Sequence, residues 1–278
     1  MQNKNKTWNV NGRLIDFSSP KVMGILNITP DSFYDGNRYT DLTSAVKQTE
    51  KMVKDGADMI DVGGYSSRPG AEDIPPFEEA ERVAGIIAAI AKEFPGIAIS
   101  IDTFRSEVAA KALDAGATII NDITGGDHDP KLRRLAVDRR VPYIIMHMRG
   151  TPQTMNKLAQ YDNVVKEVIA DLQKKVHDYQ KEGLTDLAID PGFGFAKNVD
   201  QNFQMLRDLE AFAMMGRPLL VGVSRKSMIW RTLEIKPAEA LNGTTALNMV
   251  ALMKGADILR VHDVKEAVEC VKLYSRIG

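Results

Sequence analysis

Short apolar segments alternate with longer amphipathic segments along most of the chain. The short segments are rich in β-branched residues and end in polar residues, which is typical of buried parallel strands. They predict eight strands, at residues 22–27, 59–62, 98–102, 119–122, 143–147, 187–190, 219–222 and 258–261. The longer segments repeat apolar residues at helical spacing and predict helices at 41–55, 77–93, 105–114, 130–138, 161–182, 199–212, 242–254 and 263–275.

Three segments share one local pattern, in which an amphipathic stretch is followed by Gly-Ala and then by a β-rich run. They lie at residues 55–64, 115–122 and 254–262. Glycine suits the left-handed position just past a helix, and the small alanine permits a close turn into a buried strand. The recurring unit is therefore a helix, a Gly-Ala turn and a strand.

The strand count predicts the fold. Eight apolar strands alternating with helices predict a parallel sheet that closes as a (β/α)₈ TIM barrel. A doubly wound open sheet is the alternative, which is disfavoured because no G-x-G-x-x-G follows the first strand. Residues 7–17 predict a short N-terminal β-hairpin that turns at Asn11-Gly12 and closes the barrel floor. Because no linker or low-complexity stretch interrupts the pattern, residues 1–278 are expected to form one domain.

Composition narrows the class of protein. Of 278 residues, 36 are Lys or Arg and 37 are Asp or Glu, so the formal net charge of -1 supplies no field to hold nucleic acid or a membrane surface. The apolar share of 44% is that of a globular protein with a core. Three features predict a cytoplasmic protein. The N-terminal stretch is polar, Cys270 is the lone cysteine, and the apolar runs are far shorter than the ~18 residues of a membrane span.

Polar residues close the predicted strands, and the C-terminal ends of the strands form the working face of a TIM barrel. Any single Asp or Asn at such a position is more often a turn former than a functional group. Together, however, they indicate a site, which would contain Asn27, Asp61, Asp102, Asn121, Asp122, His147, Asp190, the run 224–227, Arg260 and His262.

Asp102, Asn121 and Asp190 follow the third, fourth and sixth predicted strands, which places them on one side of the barrel mouth. A carboxylate accepts two parallel N–H bonds, and an amide offers both a donor and an acceptor, as the edge of a flat N-heterocycle requires. Capping of the following helices explains these residues equally well, since Asp102-Thr103 and Asp190-Pro191 resemble turn starts.

Cationic residues gather after the seventh and eighth predicted strands. Lys226 and Ser227 open a predicted short helix, and Arg260 and His262 end the eighth strand. Cationic side chains beside a helix N-terminus suit a phosphate or pyrophosphate group, and many barrels bind phosphate at this place. The less favoured alternative is a solvated loop whose charges pair with nearby carboxylates.

Two long connections, at residues 28–38 and 64–76, carry Pro, Gly, Ser and an aromatic residue. This composition is typical of mobile loops that close over substrates, and ordinary surface loops are the alternative. The second loop would add Arg68 to the anion site.

The histidines lack the spacing of zinc ligands, so a zinc site built by the protein is not expected. A Mg²⁺ that keeps its waters and bridges substrate phosphates needs only one or two oxygen ligands. Asn27 and Asp35 could supply them.

Eight motifs, in order along the chain, resemble those of the dihydropteroate synthase family. The two most specific are MGILNITPDSFYDG from Met23 and DVGGYSSRPGA from Asp61. The others begin at Ser100 (SIDT), Asn121 (NDI), His147 (HMRGTP), Asp190 (DPGFGF), Ser224 (SRKS) and Arg260 (RVHDV).

The resemblance implies a transferase of folate biosynthesis with Mg²⁺ as its cofactor. Such an enzyme joins p-aminobenzoate to 6-hydroxymethyl-7,8-dihydropterin pyrophosphate by an SN1-like displacement and releases 7,8-dihydropteroate and pyrophosphate. Arg260 and His262 would neutralise the growing charge of the leaving group, and Asp102 would stabilise positive charge in the pterin.

The matched positions then acquire expected roles. The pterin would be bound by Asp102, Asn121, Asp190, Lys226, Met146, Ile123, Phe195 and Gly222. The pyrophosphate would be bound by Asn27 (also the Mg²⁺ ligand), Arg68, Arg260 and His262. The p-aminobenzoate, in the pocket where sulfonamides compete in this family, would be bound by Phe33, Ser67, Arg68, Pro69, Lys226 and Ser227. The residues expected to act in catalysis are Asp102, Lys226, Arg260, His262 and Asp35.

Two residues depart from the family pattern. Tyr65 stands where an acidic residue is common and Ser67 where Thr is most common, which leaves the closure of the second loop and sulfonamide sensitivity open. A corrinoid methyltransferase would share the pterin-binding acids but has no use for a pyrophosphate site. A silent paralogue is expected to have lost loop or cation residues. The synthase interpretation is favoured over both.

The family is generally homodimeric, which implies a second copy of this chain as a partner. The apolar helical face of Ala246, Met249, Val250 and Met253 could support a dimer, although packing against the barrel explains it equally well. Apart from small-molecule substrates, no nucleic-acid or membrane partner is expected.

Overall fold

The structure, a computed structural model, describes residues 6–28, 38–65, 74–151 and 154–277. Within these residues the strands are β1 (Thr7–Val10), β2 (Arg13–Asp16), β3 (Lys21–Asn27), β4 (Met59–Gly63), β5 (Ala98–Asp102), β6 (Ile119–Asp122), β7 (Tyr143–Met146), β8 (Leu187–Asp190), β9 (Leu220–Val221) and β10 (Ile258–Val261). The helices are α1 (Arg38–Lys54), α2 (Pro76–Glu93), α3 (Ser106–Asp114), α4 (Pro130–Arg139), α5 (Val164–Lys181), α6 (Val199–Arg207), α7 (Ser227–Thr232), α8 (Leu241–Met253) and α9 (Val264–Ile277).

Strands β3 to β10 form one parallel sheet that closes on itself. Neighbouring strands follow the order β8-β7-β6-β5-β4-β3-β10-β9, and a parallel bridge between Ile189 and Leu219 joins its two ends. The amide of Ile189 also donates to the carbonyl of Pro218 at 3.0 Å. The predicted (β/α)₈ barrel is therefore confirmed, and the alternative of an open sheet is wrong. The organisation of residues 1–278 as one domain stays a prediction.

The seventh repeat departs most from the predicted elements. Its strand is reduced to Leu220–Val221, and the helix predicted at 199–212 ends at Arg207 and continues as a 3₁₀ helix over Leu209–Met215. The predicted short helix after this strand is present as α7. This is the place in the barrel where the sequence analysis expected the anion site.

The N-terminal hairpin seals the floor of the barrel. β1 and β2 pair antiparallel around Asn11 and Gly12, whose φ angles of 50° and 81° are those of a type I′ turn. The hairpin buries Trp8 and Phe17, whose rings meet edge to face at 4.9 Å. They pack in one cluster with an inward-facing residue from each barrel strand, namely Met23, Met59, Ala98, Ile119, Ile144, Ala188, Leu220 and Ile258.

Inward-facing positions change from apolar at the floor to polar at the mouth. Because side chains alternate along a strand, Met59 and Asp61 point the same way on β4, as do Ile258 and Arg260 on β10. The larger core lies between the sheet and the helices and takes the residues that alternate with these. The alternation leaves Asp61, Asp102, Asn121, Asp190 and Arg260 inside the barrel at one end. Asp122, next to Asn121 on β6, points outward instead and accepts from Tyr143 Oη at 2.6 Å.

Among the described residues, no helix combines the length and the apolar character that crossing a membrane requires.

Replacing Trp8 by Ala is expected to lower the free energy of unfolding by about 3–5 kcal/mol, because it leaves a cavity under all eight strands. Leu14→Ala on the same hairpin is the matched control, since Leu14 is 67% exposed, and it is expected to change stability by less than about 0.5 kcal/mol. Urea unfolding of both variants measures the difference. An equal loss of unfolding free energy in the two variants would show that Trp8 does not stabilise the floor of the barrel.

Candidate active site

The mouth of the barrel contains a buried network of opposite charges. Arg260, at the end of β10, donates from Nε to Asp61 Oδ2 and from Nη2 to Asp102 Oδ2, both at 2.6 Å. Asn121 of β6 donates from Nδ2 to the same oxygen of Asp61 at 2.9 Å. The network joins β4, β5, β6 and β10 and brings together four of the strand-end residues predicted for the site.

Burial and charge act in opposite directions on this network. Burial raises the pKa of Asp102 above its ordinary value, and the neighbouring guanidinium of Arg260 opposes that shift. The pKa of Arg260 is raised, because its attraction to Asp61 and Asp102 outweighs burial, which acts to lower it. The pair therefore leaves the guanidinium charged, and Asp102 is easier to protonate than an exposed aspartate.

Asp190 and Lys226 form a second part of the mouth. The amide of Gly192 donates to Asp190 Oδ1 at 2.7 Å, and the ammonium of Lys226 donates to the carbonyl of Phe193. Burial lowers the pKa of Lys226 to about 8, and the charge of Asp190 opposes that shift. Lys226 also lies 4.9 Å from the centre of the Phe195 ring, so the predicted cation stands between a carboxylate and an aromatic face.

Apolar side chains line a further part of the mouth. Ile123 and Met146 are buried, and Phe195 packs against the same cluster. The remaining members of this cluster are Phe104, Met148, Met155, Ala196 and Tyr65. A flat ring held by the polar groups of the mouth would have apolar surface against its faces, as the resemblance implied for Ile123, Met146 and Phe195.

The loop after β8 requires glycine at one position. Gly192 has φ 73°, and a Cβ added to it would meet the carbonyl oxygen of His147. The close approach holds the loop against β7 and places the amide that bonds Asp190. The glycine of the DPGFGF motif therefore has a local physical reason in this chain.

His262 is held by a serine. Ser224 Oγ lies 2.9 Å from His262 Nδ1 and accepts from the backbone amide of His262 at 3.1 Å. Because the hydroxyl already accepts from that amide, its own proton is available to the ring, which fixes the ring's orientation.

One cation after β9, Arg225, follows the alternative of charges paired with nearby carboxylates, and the anion site stays a prediction. Arg225 pairs with Asp263 through two bonds, of 2.9 Å from Nε and 2.8 Å from Nη2. This is the carboxylate pairing expected of a solvated loop. Lys226 and Arg260 instead contact groups of the barrel mouth, and Ser227 begins α7 beside them, half-buried.

The position of Asn27 suits a magnesium ion that keeps most of its waters. A Cβ added to Gly63 would lie 3.6 Å from Asn27 Oδ1 and 3.7 Å from Asp102 Oδ2, so the glycine leaves space between two oxygen donors. Within the described ranges, no group of three or more His, Cys, Asp or Glu could hold a metal ion. The donors present therefore fit an ion bound mainly by water and substrate rather than a protein-built cage.

Several predicted residues lie outside the described residues. These are Phe33 and Asp35 of the first loop and Ser67, Arg68 and Pro69 of the second. The expectation that the loops at 28–38 and 64–76 are mobile falls largely on the same undescribed positions, 29–37 and 66–73.

Tyr65, the first departure from the family pattern, is described. Its ring packs edge to face against Phe104 at 5.2 Å and under the guanidinium of Arg105 at 5.2 Å. Arg105 also donates to the carbonyl of Ile74, and it pairs with the buried Glu79 at 2.8 Å. The two described ends of the second loop thus meet one arginine.

Lys197 is a residue of the site that the sequence analysis missed. Its Nζ lies 3.0 Å from His147 Nδ1, 3.0 Å from the Gly192 carbonyl and 2.9 Å from the Phe195 carbonyl. Three acceptors match the three protons of an ammonium group. Lys197 therefore fastens the loop that carries Asp190 and Phe195.

Burial sets the charge states of this contact. It lowers the pKa of Lys197 to about 7 and that of His147 to about 2, so the histidine is neutral and accepts. The only signal in the sequence is a lysine inside a glycine-rich loop, which resembles an ordinary exposed residue. Asp61 and Ser224 appear in the sequence as polar strand ends, but their partners lie on distant strands.

Comparisons with known proteins agree with this geometry. The family model described as "Pterin binding enzyme" matches residues 23–262. The dihydropteroate synthase of Escherichia coli K12 is 44% identical over 264 residues, which cover 94% of this chain and 93% of the relative.

Two solved structures of Xanthomonas albilineans dihydropteroate synthase are also similar. The complex with 4-aminobenzoic acid has a TM-score of 0.92 and 36% identity, and the match covers 99% of this chain and 98% of that one. The complex with 7,8-dihydropteroate has a TM-score of 0.88 and 34% identity, and the match covers 98% of each chain.

Lys197→Met is expected to flatten the dependence of stability on pH. The pKa of Lys197 is lowered from 10.5 to about 7 on folding, so between those values the unfolded state binds more protons and wild-type stability rises with pH. The slope is at most about 1.4 kcal/mol per pH unit. Urea unfolding at pH 7, 8 and 9 measures it. Lys111→Met, which removes an exposed ion pair with Glu81, is the control and is expected to keep the wild-type dependence of stability on pH. If Lys197→Met also keeps the wild-type dependence, the lowered pKa of Lys197 is wrong.

Proposed function

The chain belongs to the family of dihydropteroate synthases, and we propose that it joins p-aminobenzoate to 6-hydroxymethyl-7,8-dihydropterin pyrophosphate at the mouth of its barrel. Dihydropteroate synthases are transferases of folate biosynthesis, and the products here are 7,8-dihydropteroate and pyrophosphate. The observation that carries the proposal is the joint presence, in one mouth, of buried acceptors, an apolar cluster and cations on adjacent strand ends.

The pterin ring would lie among the acceptors. Asp102, Asn121 and Asp190 offer oxygens to the ring's N–H groups, and Lys226 offers a donor to a ring acceptor. Gly222 adds no side chain, and a Cβ placed there would lie 3.8 Å from both Arg260 Cβ and Lys226 Nζ. The ring's faces would then pack against the apolar residues of the mouth, namely Ile123, Met146 and Phe195.

The pyrophosphate would lie at the outer edge of the mouth. Arg260 lies near the end of β10 and His262 directly follows that strand, so both are at the same strand end, and the resemblance adds Asn27 and Arg68. Because α7 has only six residues, the charged side chains rather than the helix end would carry the binding.

We also propose Mg²⁺ as the cofactor, held by Asn27 with help from Asp35. When bound to the pyrophosphate it would supply positive charge to the leaving group.

The p-aminobenzoate would bind nearer to the loops. Lys226 and Ser227 lie at the start of α7, between the pterin position and the rim. By resemblance, the pocket is completed by Phe33, Ser67, Arg68 and Pro69.

The reaction is a dissociative displacement. The bond between the pterin methylene carbon and the bridging oxygen breaks, and its electron pair leaves with pyrophosphate, whose charge Arg260 and His262 neutralise. The positive charge left on the carbon spreads into the pterin, where the carboxylate of Asp102 stabilises it. The amine nitrogen of p-aminobenzoate then bonds to the carbon and releases one proton to water.

We infer that two copies of the chain associate. Ala246, Val250 and Met253 are exposed on α8, and the neighbouring α9 exposes Leu273. Exposed apolar side chains of this kind favour a partner. Light scattering that gives the mass of one chain at micromolar concentration would reject the homodimer.

A cytoplasmic location is proposed as well, because the lone cysteine, Cys270, is a buried free thiol, which suits a reducing compartment. Recovery of the protein from another cell fraction would reject it.

The test of the function is pyrophosphate release from the pterin pyrophosphate in the presence of Mg²⁺, with and without p-aminobenzoate. Release that requires p-aminobenzoate and gives dihydropteroate is expected, and Lys226→Ala is expected to abolish most of it. Tight pterin binding without turnover would point instead to a silent paralogue or to a methyl-transfer barrel.

Asp102→Asn is expected to lower kcat by about 100-fold, because the amide keeps the shape of the carboxylate but not the charge that stabilises the cation. The KM values are expected to change less. Steady-state kinetics measures both, with Asp114→Asn at an exposed surface pair with Arg139 as the control. A wild-type kcat in Asp102→Asn would reject the proposed charge stabilisation.

A further inference from the structure

We propose that Asp61 is the positioning residue of the pterin site: its buried carboxylate sets the orientation of both the Asn121 amide and the Arg260 guanidinium. The inference rests on the proposed function. It assigns Asp61 no contact with a substrate.

Asp61 reaches two strands that are not its neighbours. Its strand β4 lies between β3 and β5, whereas Asn121 is on β6 and Arg260 on β10. Asp61 is 0% exposed, and its Oδ2 accepts from Asn121 at 2.9 Å and from Arg260 at 2.6 Å. One oxygen inside the barrel therefore fixes groups that approach from both sides.

The contact decides which way the Asn121 amide faces. An ionised carboxylate only accepts hydrogen bonds, so the Nδ2 group of Asn121 must be directed at Asp61. Its Oδ1 then points away from Asp61 within the amide plane, where it can accept from a ring N–H. Without Asp61, the amide could turn over and present a donor in place of that acceptor.

The bond to Asp61 also holds Arg260 in place when Asp102, the other partner of Arg260, binds the pterin. Arg260 is bonded to Asp102 through Nη2 as well as to Asp61 through Nε. A pterin that takes the carboxylate of Asp102 competes with Nη2 for the same oxygens. Asp61, buried beneath, would keep the guanidinium in place for the pyrophosphate.

The energetic cost of burying the Asp61 carboxylate argues that the residue is kept for a function. A buried charge is expensive unless it is fully bonded, and within the described part of the chain Asp61 Oδ1 has no hydrogen-bond partner. The hydroxyl of Ser100, its register partner on β5, is also buried and unbonded there. A layer chosen for stability alone would place apolar residues at these positions.

The test compares Asp61→Asn with the wild-type enzyme in steady-state kinetics with both substrates varied. The KM for the pterin pyrophosphate is expected to rise by about tenfold or more, the loss expected when a hydrogen bond to a charged group is removed. The KM for p-aminobenzoate is expected to stay within about twofold, because Asp61 bonds neither Lys226 nor Ser227, the described residues proposed to bind it. A fold that is merely damaged would change both.

Asp257→Asn is the matched control at the opposite end of the barrel. Asp257 is a half-buried carboxylate that also has a cationic partner, since it bonds Lys6 at 2.7 Å and the amide of Leu219 at 2.8 Å. This variant is expected to lose stability and to keep both KM values.

Calorimetric binding of the pterin pyrophosphate without p-aminobenzoate separates this inference from the proposed function. If the wild type binds the pterin but makes no dihydropteroate, the proposed function fails, and the inference still stands if Asp61→Asn binds at least about tenfold more weakly. Equal affinity of the two proteins would overturn the inference whether or not the wild type turns over.

A second variant covers the case in which the asparagine protein does not fold. Asp61→Ser leaves room for water and is expected to show the same rise in the pterin KM. If both variants fail to fold where Asp257→Asn folds, Asp61 serves the barrel itself and the inference is wrong.

Discussion

Because the barrel closes, every second side chain of each strand points into one narrow interior. The size and polarity of the groups that fit there constrain the rest of the structure. At the floor it is filled by one apolar residue from each strand and sealed by Trp8 and Phe17 of the hairpin. At the mouth the same geometry brings charged groups from separate strands within hydrogen-bond distance. Charges in such a place must be paired, because the energetic penalty of leaving them unpaired exceeds the gain from packing.

The charges of the mouth are paired with one another. Arg260 donates to both Asp61 and Asp102. Lys226 donates to the carbonyl of Phe193 and interacts with the charge of Asp190. A substrate that carries both N–H donors and a polyanion can replace these internal partners without leaving a charge unpaired. The mouth is therefore preorganised for a ligand of mixed polarity, which agrees with the pterin pyrophosphate of the proposed reaction.

Binding residues in this barrel depend on residues that have no contact with the proposed substrates. Lys197 fastens the loop that carries Phe195, Ser224 fixes the ring of His262, and Asp61 holds two groups at once. Each support is short and buried, so a small change in it would move a binding group without removing it. Variation within a family of one fold and one reaction can arise from such supports as well as from the loops.

The alternation of apolar strands and amphipathic helices determined the fold, because eight parallel strands have few ways to cover both faces of their sheet. It was least accurate in the seventh repeat, where a strand of two residues leaves almost no periodicity to detect. The polar ends of the strands also indicated Asp102, Asn121, Asp190 and the cations, since the topology alone collects strand ends at one face.

The partners of those residues were decided only by the tertiary structure. Asp61 bonds both Asn121 and Arg260 because the tilt of the strands and the register between them bring these side chains together across the barrel. Lys197 shows the same limit, because its three acceptors come from β7 and from the turn that Gly192 permits. The sequence by itself determined which chemical groups line the mouth, whereas distances between separate strands decided which group holds which.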